Sequence, residues 1–131
     1  YGGSLAYLGF GGTGCQVRDI LHVADLYRLL KLQLSQISSL SGQVFNVGGG
    51  RKISVSLNEL TQMCKQHSSS HLNIACKPET RDADIPWYIT DTQAVSDATA
   101  WQPQHSVEAT VEEIFAWLTD HRNQLEPILG S

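Results

Sequence analysis

The sequence has little cysteine, and what it has excludes the usual cysteine-based architectures. Cys15, Cys64 and Cys76 are odd in number, widely spaced and form no CxxC pair, so we expect neither a disulfide framework nor a zinc knuckle. His67 and His71 have the spacing of zinc ligands on a helix, but they flank a serine run that predicts a loop. We therefore expect reduced thiols, no metal site and a cytoplasmic location.

Long apolar runs and excess positive charge are also missing. No stretch reaches the roughly 18 apolar residues that a membrane-spanning helix needs, so no membrane partner is expected. The chain of 131 residues carries 9 basic and 13 acidic side chains, a formal charge of −4. Nucleic-acid binding calls for a basic face and is not expected. A small anionic ligand, which needs only two or three placed cations, is compatible with this charge.

The remaining pattern alternates between strand-like and helix-like segments. Strands or extended segments are expected at residues 5–10, 16–23, 43–47 and 72–76, and helices at about 24–38, 57–67, 92–98 and 107–118. Ser56 and Glu59 form a capping box at the start of the second helix. We expect an α/β (α+β) fold in a single domain over residues 1–131, with about four helices and no complete Rossmann domain. Because residue 1 is Tyr and the single Met is Met63, we expect a part of a longer protein.

The first predicted helix carries an apolar stripe at three- and four-residue steps, which predicts its buried face. This stripe consists of Val23, Leu26, Tyr27, Leu30, Leu34 and Ile37. Trp101 and Trp117 are large apolar side chains of the kind that fill a core, and we expect both to be buried.

Two short motifs imitate functional signatures, but their surroundings favour structural roles. Residues 9–14 spell GxGxxG after a strand. Dinucleotide binding requires a helix N-terminus directly after that motif, whereas residues 15–20 predict extended chain, so we interpret the motif as a turn. Tyr27 and Lys31 spell YxxxK and share one helix face. Tyr27 also belongs to the apolar stripe, which favours a core tyrosine.

Three segments, in order, resemble the second half of the extended short-chain dehydrogenase/reductases, the NAD-dependent epimerase/dehydratase family. They are QVRDILHVADL at residues 16–26, VFNVGGG with SVSLNEL at residues 44–60, and RDADIPWY at residues 81–88 followed by WQP at residues 101–103. Within that family the segments are most similar to the CDP-paratose (CDP-tyvelose) 2-epimerases. The resemblance implies the C-terminal, substrate-binding portion of such an enzyme.

The resemblance implies a nucleotide-sugar site on four residues. Arg18 and Arg81 match arginines that contact the substrate diphosphate, a role suited to the planar, permanently charged guanidinium fork. Asp84 matches an acceptor for a ribose hydroxyl, and Asn46 matches a residue beside the nucleotide. The alternative from the residues alone is surface ion pairing, of Arg18 with Asp19 and of Arg81 with a neighbouring aspartate.

Other parts of the family pattern are missing from this chain. The NAD-binding half and the mid-chain catalytic Tyr-x-x-x-Lys are absent, so we expect no catalytic residue, cofactor-binding residue or cofactor here, although NAD is implied for the complete family enzyme. The implied ligand is a CDP- or UDP-linked sugar. The alternative is a non-catalytic remnant or protein-interaction domain. Residues 43–47 resemble a strand of the NAD-domain sheet, so we expect a homodimer or a complex with the missing half.

Overall fold

The computed structural model describes residues 4–68 and 73–129 and confirms an alternation of short strands and helices. The strands are β1 (Leu5–Leu8), β2 (Val17–Asp19), β3 (Ser54–Ser56), β4 (Ile74–Lys77) and β5 (Trp87–Tyr88). The helices are α1 (Val23–Ser35), α2 (Ile37–Leu40), α3 (Leu57–His67), α4 (Gln93–Thr99), α5 (Val107–Asp120) and α6 (Arg122–Leu129). The described residues hold six helices where about four were expected, because the first and last predicted helices each continue, after a break, as a second helix. None of the helices in these two ranges is long and apolar enough to cross a membrane.

The chain divides into two compact units, and each is built on short parallel pairing. The first unit comprises the described residues of 1–16, 56–86 and 108–131. In it β1 pairs with β4 in parallel, from Leu5 opposite Ile74 to Leu8 opposite Lys77. The second unit comprises residues 17–55 and 87–107. Its sheet has the order β3-β2-β5, with β2 parallel to β5 and Arg18 opposite Tyr88. Parallel pairing is what strands joined through helices produce.

The core of the second unit forms around α1 and α4. Leu29, Val95 and Trp101 are buried together, and the half-buried Leu21, Leu32, Phe45 and Val47 pack against them. The indole Nε1 of Trp101 donates to the backbone oxygen of Asp25 at 3.0 Å, so the polar end of this large side chain is satisfied inside the core. The prediction that Trp101 is buried is confirmed.

Asp25 is a buried charge on α1 that links distant parts of the second unit. Its Oδ2 accepts from the backbone N–H groups of Gln104 (2.9 Å) and His105 (3.0 Å), and its Oδ1 lies 3.0 Å from Arg28 Nη1. Burial by itself raises the pKa of Asp25, but the two backbone hydrogen bonds and the His105 side chain outweigh it, so the net pKa lies below the ordinary 3.8. Asp25 therefore fastens the start of α1 to residues 104–105.

The prediction of which face of α1 is buried was wrong. The face that the rest of the chain covers contains the buried residues His22, Asp25 and Leu29. The apolar stripe lies on the other side and is 38–74% exposed: Val23, Leu26, Tyr27, Leu30, Leu34 and Ile37. Tyr27 is thus not a core residue. The face that contains Asp25 is buried because this carboxylate finds partners at residues 104–105 and Leu29 packs in the core, whereas the apolar stripe is left largely exposed by the described residues.

The predicted strand at residues 43–47 is also absent. The segment alternates as a strand does, with Phe45 and Val47 half-buried against the core and Val44 and Asn46 exposed. Within the described part of the chain, however, the backbone of residues 44–48 makes no hydrogen bond. A strand exists only as a member of a sheet, and the described residues offer this segment no neighbour.

In the first unit, the capping box of α3 was predicted correctly, whereas the predicted burial of Trp117 was wrong. Ser56 Oγ accepts from the Glu59 backbone N–H at 3.1 Å, and Glu59 Oε2 accepts from the Ser56 N–H at 2.8 Å. This is the predicted capping box at the start of α3. Trp117 was predicted to be buried but is 50% exposed, stacked on His121 at 4.7 Å between ring centroids. It lies one turn before the end of α5, outside that helix's buried contacts at Val107 and Val111.

Candidate functional site

In the first unit, Arg81 and Asp84 lie on a short turn closed by their own backbone. Arg81 O accepts from Asp84 N at 2.9 Å, and Asp84 Oδ2 is 3.4 Å from Arg81 N. Thr80 Oγ1 holds the turn by accepting from Phe10 N at 2.8 Å. Both charged side chains are exposed. The turn therefore presents a guanidinium and a carboxylate to solvent from a backbone that is closed on itself and anchored at Thr80.

The alternative of a surface ion pair is not observed for Arg81. Among residues 4–68 and 73–129, no carboxylate lies within 4.0 Å of its guanidinium. Asp84 instead uses one oxygen on the backbone of its own turn. An exposed arginine without a carboxylate partner can donate to another acceptor. This is the property that a diphosphate-contacting arginine needs.

In the second unit, Arg18 and Asn46 occupy different surroundings. Arg18 lies in the central strand β2, half-buried, and its Nη1 donates to the Val17 carbonyl at 2.7 Å. Asn46 is exposed on the unpaired segment, and its side chain makes no hydrogen bond to another described residue. Arg18 is therefore oriented by the protein, and Asn46 is not.

The glycine-rich turn at residues 9–14 does not fit a dinucleotide. Residues 10–12 form one 3-10 turn, and irregular chain and then β2 follow. A Cβ at Gly12 would collide with Cys76 Sγ. The motif is thus packed against β4, and no helix N-terminus follows it to hold a pyrophosphate. The interpretation as a turn is confirmed.

The glycines at residues 48–50 serve close packing within the second unit. Cβ atoms at Gly48 and Gly49 would collide with the Asp19 carboxylate and the Ile20 carbonyl oxygen. Gly50 N donates to Asp19 Oδ2 at 3.0 Å. The close approach at these glycines is therefore to the end of β2. Asp19 holds this turn, and His22, whose Nδ1 accepts from Ala24 N at 3.1 Å, holds the start of α1.

Two cavities differ in chemistry, one in each unit. The cavity of the first unit, about 340 Å³, is almost wholly apolar, lined by Leu5, Tyr7, Leu57, Leu60, Ile74 and Phe115 among others. Cys64 also lines it, and burial raises the pKa of that thiol. The cavity of the second unit, about 330 Å³, is more polar and is bordered by residues 49–53, 92–93, 96 and 102–103. The apolar cavity cannot solvate a diphosphate.

Metal ligands do not cluster in the part of the chain that the structure describes. Within residues 4–68 and 73–129 no group of three or more His, Cys, Asp or Glu side chains is arranged to hold a metal ion. His67 stacks on Phe115 at 5.5 Å between ring centroids. His71, its partner in the considered zinc spacing, lies outside the described residues.

Sequence comparisons connect the chain to nucleotide-sugar epimerases. No family model matches it. It is 30% identical over 106 residues to CDP-paratose 2-epimerase of Salmonella typhi, covering 81% of this chain and 31% of that protein. It is 26% identical over 100 residues to UDP-glucose 4-epimerase of Corynebacterium glutamicum, covering 76% of this chain and 30% of that protein. The chain belongs to the extended short-chain dehydrogenase/reductases. It spans about a third of the length of these relatives.

The fold of this chain also matches that of a solved UDP-glucose-4-epimerase. UDP-glucose-4-epimerase from Stenotrophomonas maltophila, solved with bound NAD and formylated UDP-arabinopyranose, superposes with a TM-score of 0.77 at 21% identity. The match covers 92% of this chain and 36% of that one. The shared architecture therefore extends over nearly all of the chain.

Sequence reasoning on this short-chain dehydrogenase/reductase missed the contacts that hold its candidate residues. Thr80, which anchors the Arg81 turn, is 70 residues from its partner Phe10. His105, which binds Asp25 and stacks on His22 at 4.1 Å between ring centroids, is 80 residues from Asp25. Neither pairing leaves a local signal, because periodicity and capping patterns report only neighbours within a turn or two.

Proposed function

We propose that this chain is the C-terminal, nucleotide-sugar-binding lobe of an NAD-dependent nucleotide-sugar epimerase or dehydratase. Arg18 and Arg81 donate to the diphosphate of a CDP- or UDP-linked sugar, Asp84 accepts from the ribose, and Asn46 lies beside the nucleotide. The observation that carries the proposal is Arg81, an exposed guanidinium with no carboxylate partner among the described residues, on a turn anchored at Thr80. The family relatives act on nucleotide sugars by name, which supports the ligand class.

The chain alone is not expected to catalyse the family reaction. Hydride transfer needs a bound nicotinamide with an acid or base beside it. The one GxGxxG motif is a turn packed on β4, and Tyr27 lies on the exposed stripe of α1 with Lys31 Nζ 5.7 Å from its ring centroid. Catalysis and NAD binding would then belong to the part of the family fold that this chain does not span. Its three unpaired thiols fit the cytoplasm.

Calorimetry tests the proposal directly. The chain is titrated with CDP, UDP and a sugar conjugate of each, and Arg81→Ala is expected to weaken the best ligand by roughly 10- to 100-fold, the value of charge-assisted hydrogen bonds to phosphate. Arg51→Ala is the matched control, because Arg51 is also an exposed arginine but is not assigned to the ligand. Equal weakening by both variants would contradict the proposal, since it would report only lost positive charge. Arg18→Ala is measured in the same way.

A second function, a protein-interaction module that kept only the fold, is favoured by one observation. The cavity of the first unit is lined mainly by apolar side chains, and among the described residues that line it Lys65 alone is formally charged. Such a cavity suits apolar groups of a protein partner better than a nucleotide. No binding of any of the four nucleotide ligands would favour this function over the first.

A further inference from the structure

The glycine-rich turn at residues 9–14 contains an aromatic residue with a strained backbone. Among the residues that the structure describes, Phe10 and Ala100 are the two other than glycine with a positive φ, 46° and 57°. Ala100 is the C-cap of α4, where a left-handed residue is common. Phe10 instead begins the 3-10 turn at residues 10–12, and bulky residues rarely adopt this conformation. Strain of this kind persists where surrounding contacts impose it, and it is concentrated at functional sites.

The strained backbone of Phe10 directs its N–H group at the segment that carries Arg81. Phe10 N donates to Thr80 Oγ1 at 2.8 Å. One residue earlier, Gly9 N donates to Lys77 O at 2.8 Å, at the end of β4. Two consecutive N–H groups of the glycine-rich turn therefore hold the segment between β4 and Arg81. Because Thr80 directly precedes Arg81, this contact fixes the start of the turn at residues 81–84.

Gly9 lets the same turn approach residues 80–84 closely. Its φ is 72°, which glycine adopts without strain. A Cβ atom at Gly9 would lie 3.4 Å from Thr80 Cα and 3.6 Å from Asp84 Oδ2. The first glycine of the motif is therefore in contact range of both ends of the turn that carries Arg81. The motif thus packs on the candidate ligand-binding turn as well as on β4.

We infer that the glycine-rich turn positions Arg81 for the nucleotide sugar through the hydrogen bond from Phe10 N to Thr80 Oγ1. Phe10 and Thr80 are positioning residues, because they act on the ligand through Arg81. A guanidinium on a backbone that is already held loses less conformational freedom when it meets a phosphate, and this raises affinity. The inference rests on the proposed function, since it requires Arg81 to contact the ligand.

Calorimetry on Thr80 variants tests the inference, with CDP, UDP and a sugar conjugate of each as probes. Thr80→Val keeps the shape of the side chain and removes the acceptor, so it is expected to weaken binding by about 3- to 10-fold, the value of one neutral hydrogen bond. Thr80→Ser keeps the hydroxyl and is expected to bind within about twofold of wild type.

Thr13→Val is the matched control for Thr80→Val. Thr13 is also an exposed threonine, and its hydroxyl donates to the carbonyl oxygen of the same Phe10 at 3.3 Å. This hydrogen bond lies within the glycine-rich turn, so its loss is expected to change nucleotide affinity by less than about twofold. An equal loss in Thr13→Val and Thr80→Val would overturn the inference.

A double variant shows whether Thr80 acts through Arg81. In the Arg81→Ala background, Thr80→Val is expected to change affinity by less than about twofold, because the guanidinium that it positions is absent. A 3- to 10-fold loss in both backgrounds would overturn the inference, because Thr80 would then act on stability in general. Deuterium exchange at the Phe10 amide provides a readout without ligand, and it is expected to be about 3- to 10-fold faster in Thr80→Val.

Failure of this inference and failure of the proposed function give different results. If wild type binds a nucleotide and Arg81→Ala weakens that binding, the proposed function stands. Wild-type affinity in Thr80→Val, or an unchanged exchange rate at the Phe10 amide, would then overturn the positioning role alone. No nucleotide binding by wild type would overturn both, and it is seen before any Thr80 variant is compared.

Discussion

The two faces of helix α1 differ in the opposite sense from the usual amphipathic helix. One face contains a buried carboxylate, a buried histidine and Leu29, and the chain covers it. The other contains six apolar side chains and stays open. A strictly self-sufficient domain buries its most apolar face. The contrast teaches that the face of α1 covered by its own chain is the one whose charged and polar side chains find partners, and that apolar periodicity alone does not identify it.

The two faces of α1 can be compared most directly at two adjacent leucines. Leu29 is 1% exposed and Leu30 is 49% exposed. Leu29→Ala is expected to lower the free energy of unfolding by about 3 kcal/mol, because it removes buried methylene groups and leaves a cavity. Leu30→Ala is expected to change it by less than about 0.5 kcal/mol. Urea denaturation of both variants measures this. Similar losses would mean that both faces are buried in solution.

Substitution of Asp25 is expected to have the next largest effect on the free energy of unfolding, and this effect is expected to depend on pH. Its pKa is lowered below 3.8 in the folded state, so its contribution to stability is complete above the unfolded pKa and is lost as the pH falls through the folded value. Asp25→Asn is expected to cost about 2 kcal/mol at pH 7, because charged hydrogen bonds to the backbone are weakened. The difference from wild type is expected to shrink below about pH 4.

Asp97 provides the control for that measurement. It lies exposed on α4 in the same unit and bonds only Gln93 among the described residues. Asp97→Asn is expected to cost less than about 0.5 kcal/mol at every pH. If the Asp25→Asn deficit were as small or did not depend on pH, the covered face of α1 would not depend on its carboxylate.

The smallest effect is expected at α3, whose start is fixed locally. Ser56→Ala removes the side-chain cap of the Glu59 N–H and is expected to cost about 1 kcal/mol. Hydrogen bonds from the Ser56 hydroxyl and backbone lower the pKa of Glu59 below its ordinary 4.5. That pKa is therefore expected to rise in the variant, as followed by NMR titration. An unchanged Glu59 pKa would show that the capping box is not formed in solution.

The sequence predicted features whose causes are local and failed where the cause is a distant neighbour. The capping box at Ser56 and the turn at residues 9–14 depend on residues within a few positions, and both are found. The face of α1 that is buried depends on residues 104–105, which lie about 80 positions away. The strand predicted at residues 43–47 has the correct alternation but depends on a partner strand that the described residues do not supply.

The candidate site was predicted by a different route. Arg18, Arg81, Asp84 and Asn46 came from resemblance to a family, because an exposed arginine has no periodicity that marks it as a ligand contact. The structure adds the chemistry that resemblance does not contain: Arg81 has no carboxylate partner among the described residues, and its turn is held by Thr80. Their roles toward the ligand stay predictions until calorimetry tests them.

Any side chain at Gly48 or Gly49 would collide with the end of β2, and this affects how sequence conservation at these positions is interpreted. Substitutions there would be rejected for reasons of space alone, whatever the protein binds. If these glycines prove invariant among homologues, their invariance would record the contact with Asp19 and Ile20, and it would carry no information about a phosphate or a cofactor. Evolutionary evidence for the ligand must then come from residues such as Arg81, whose exposed side chain the packing does not dictate in this way.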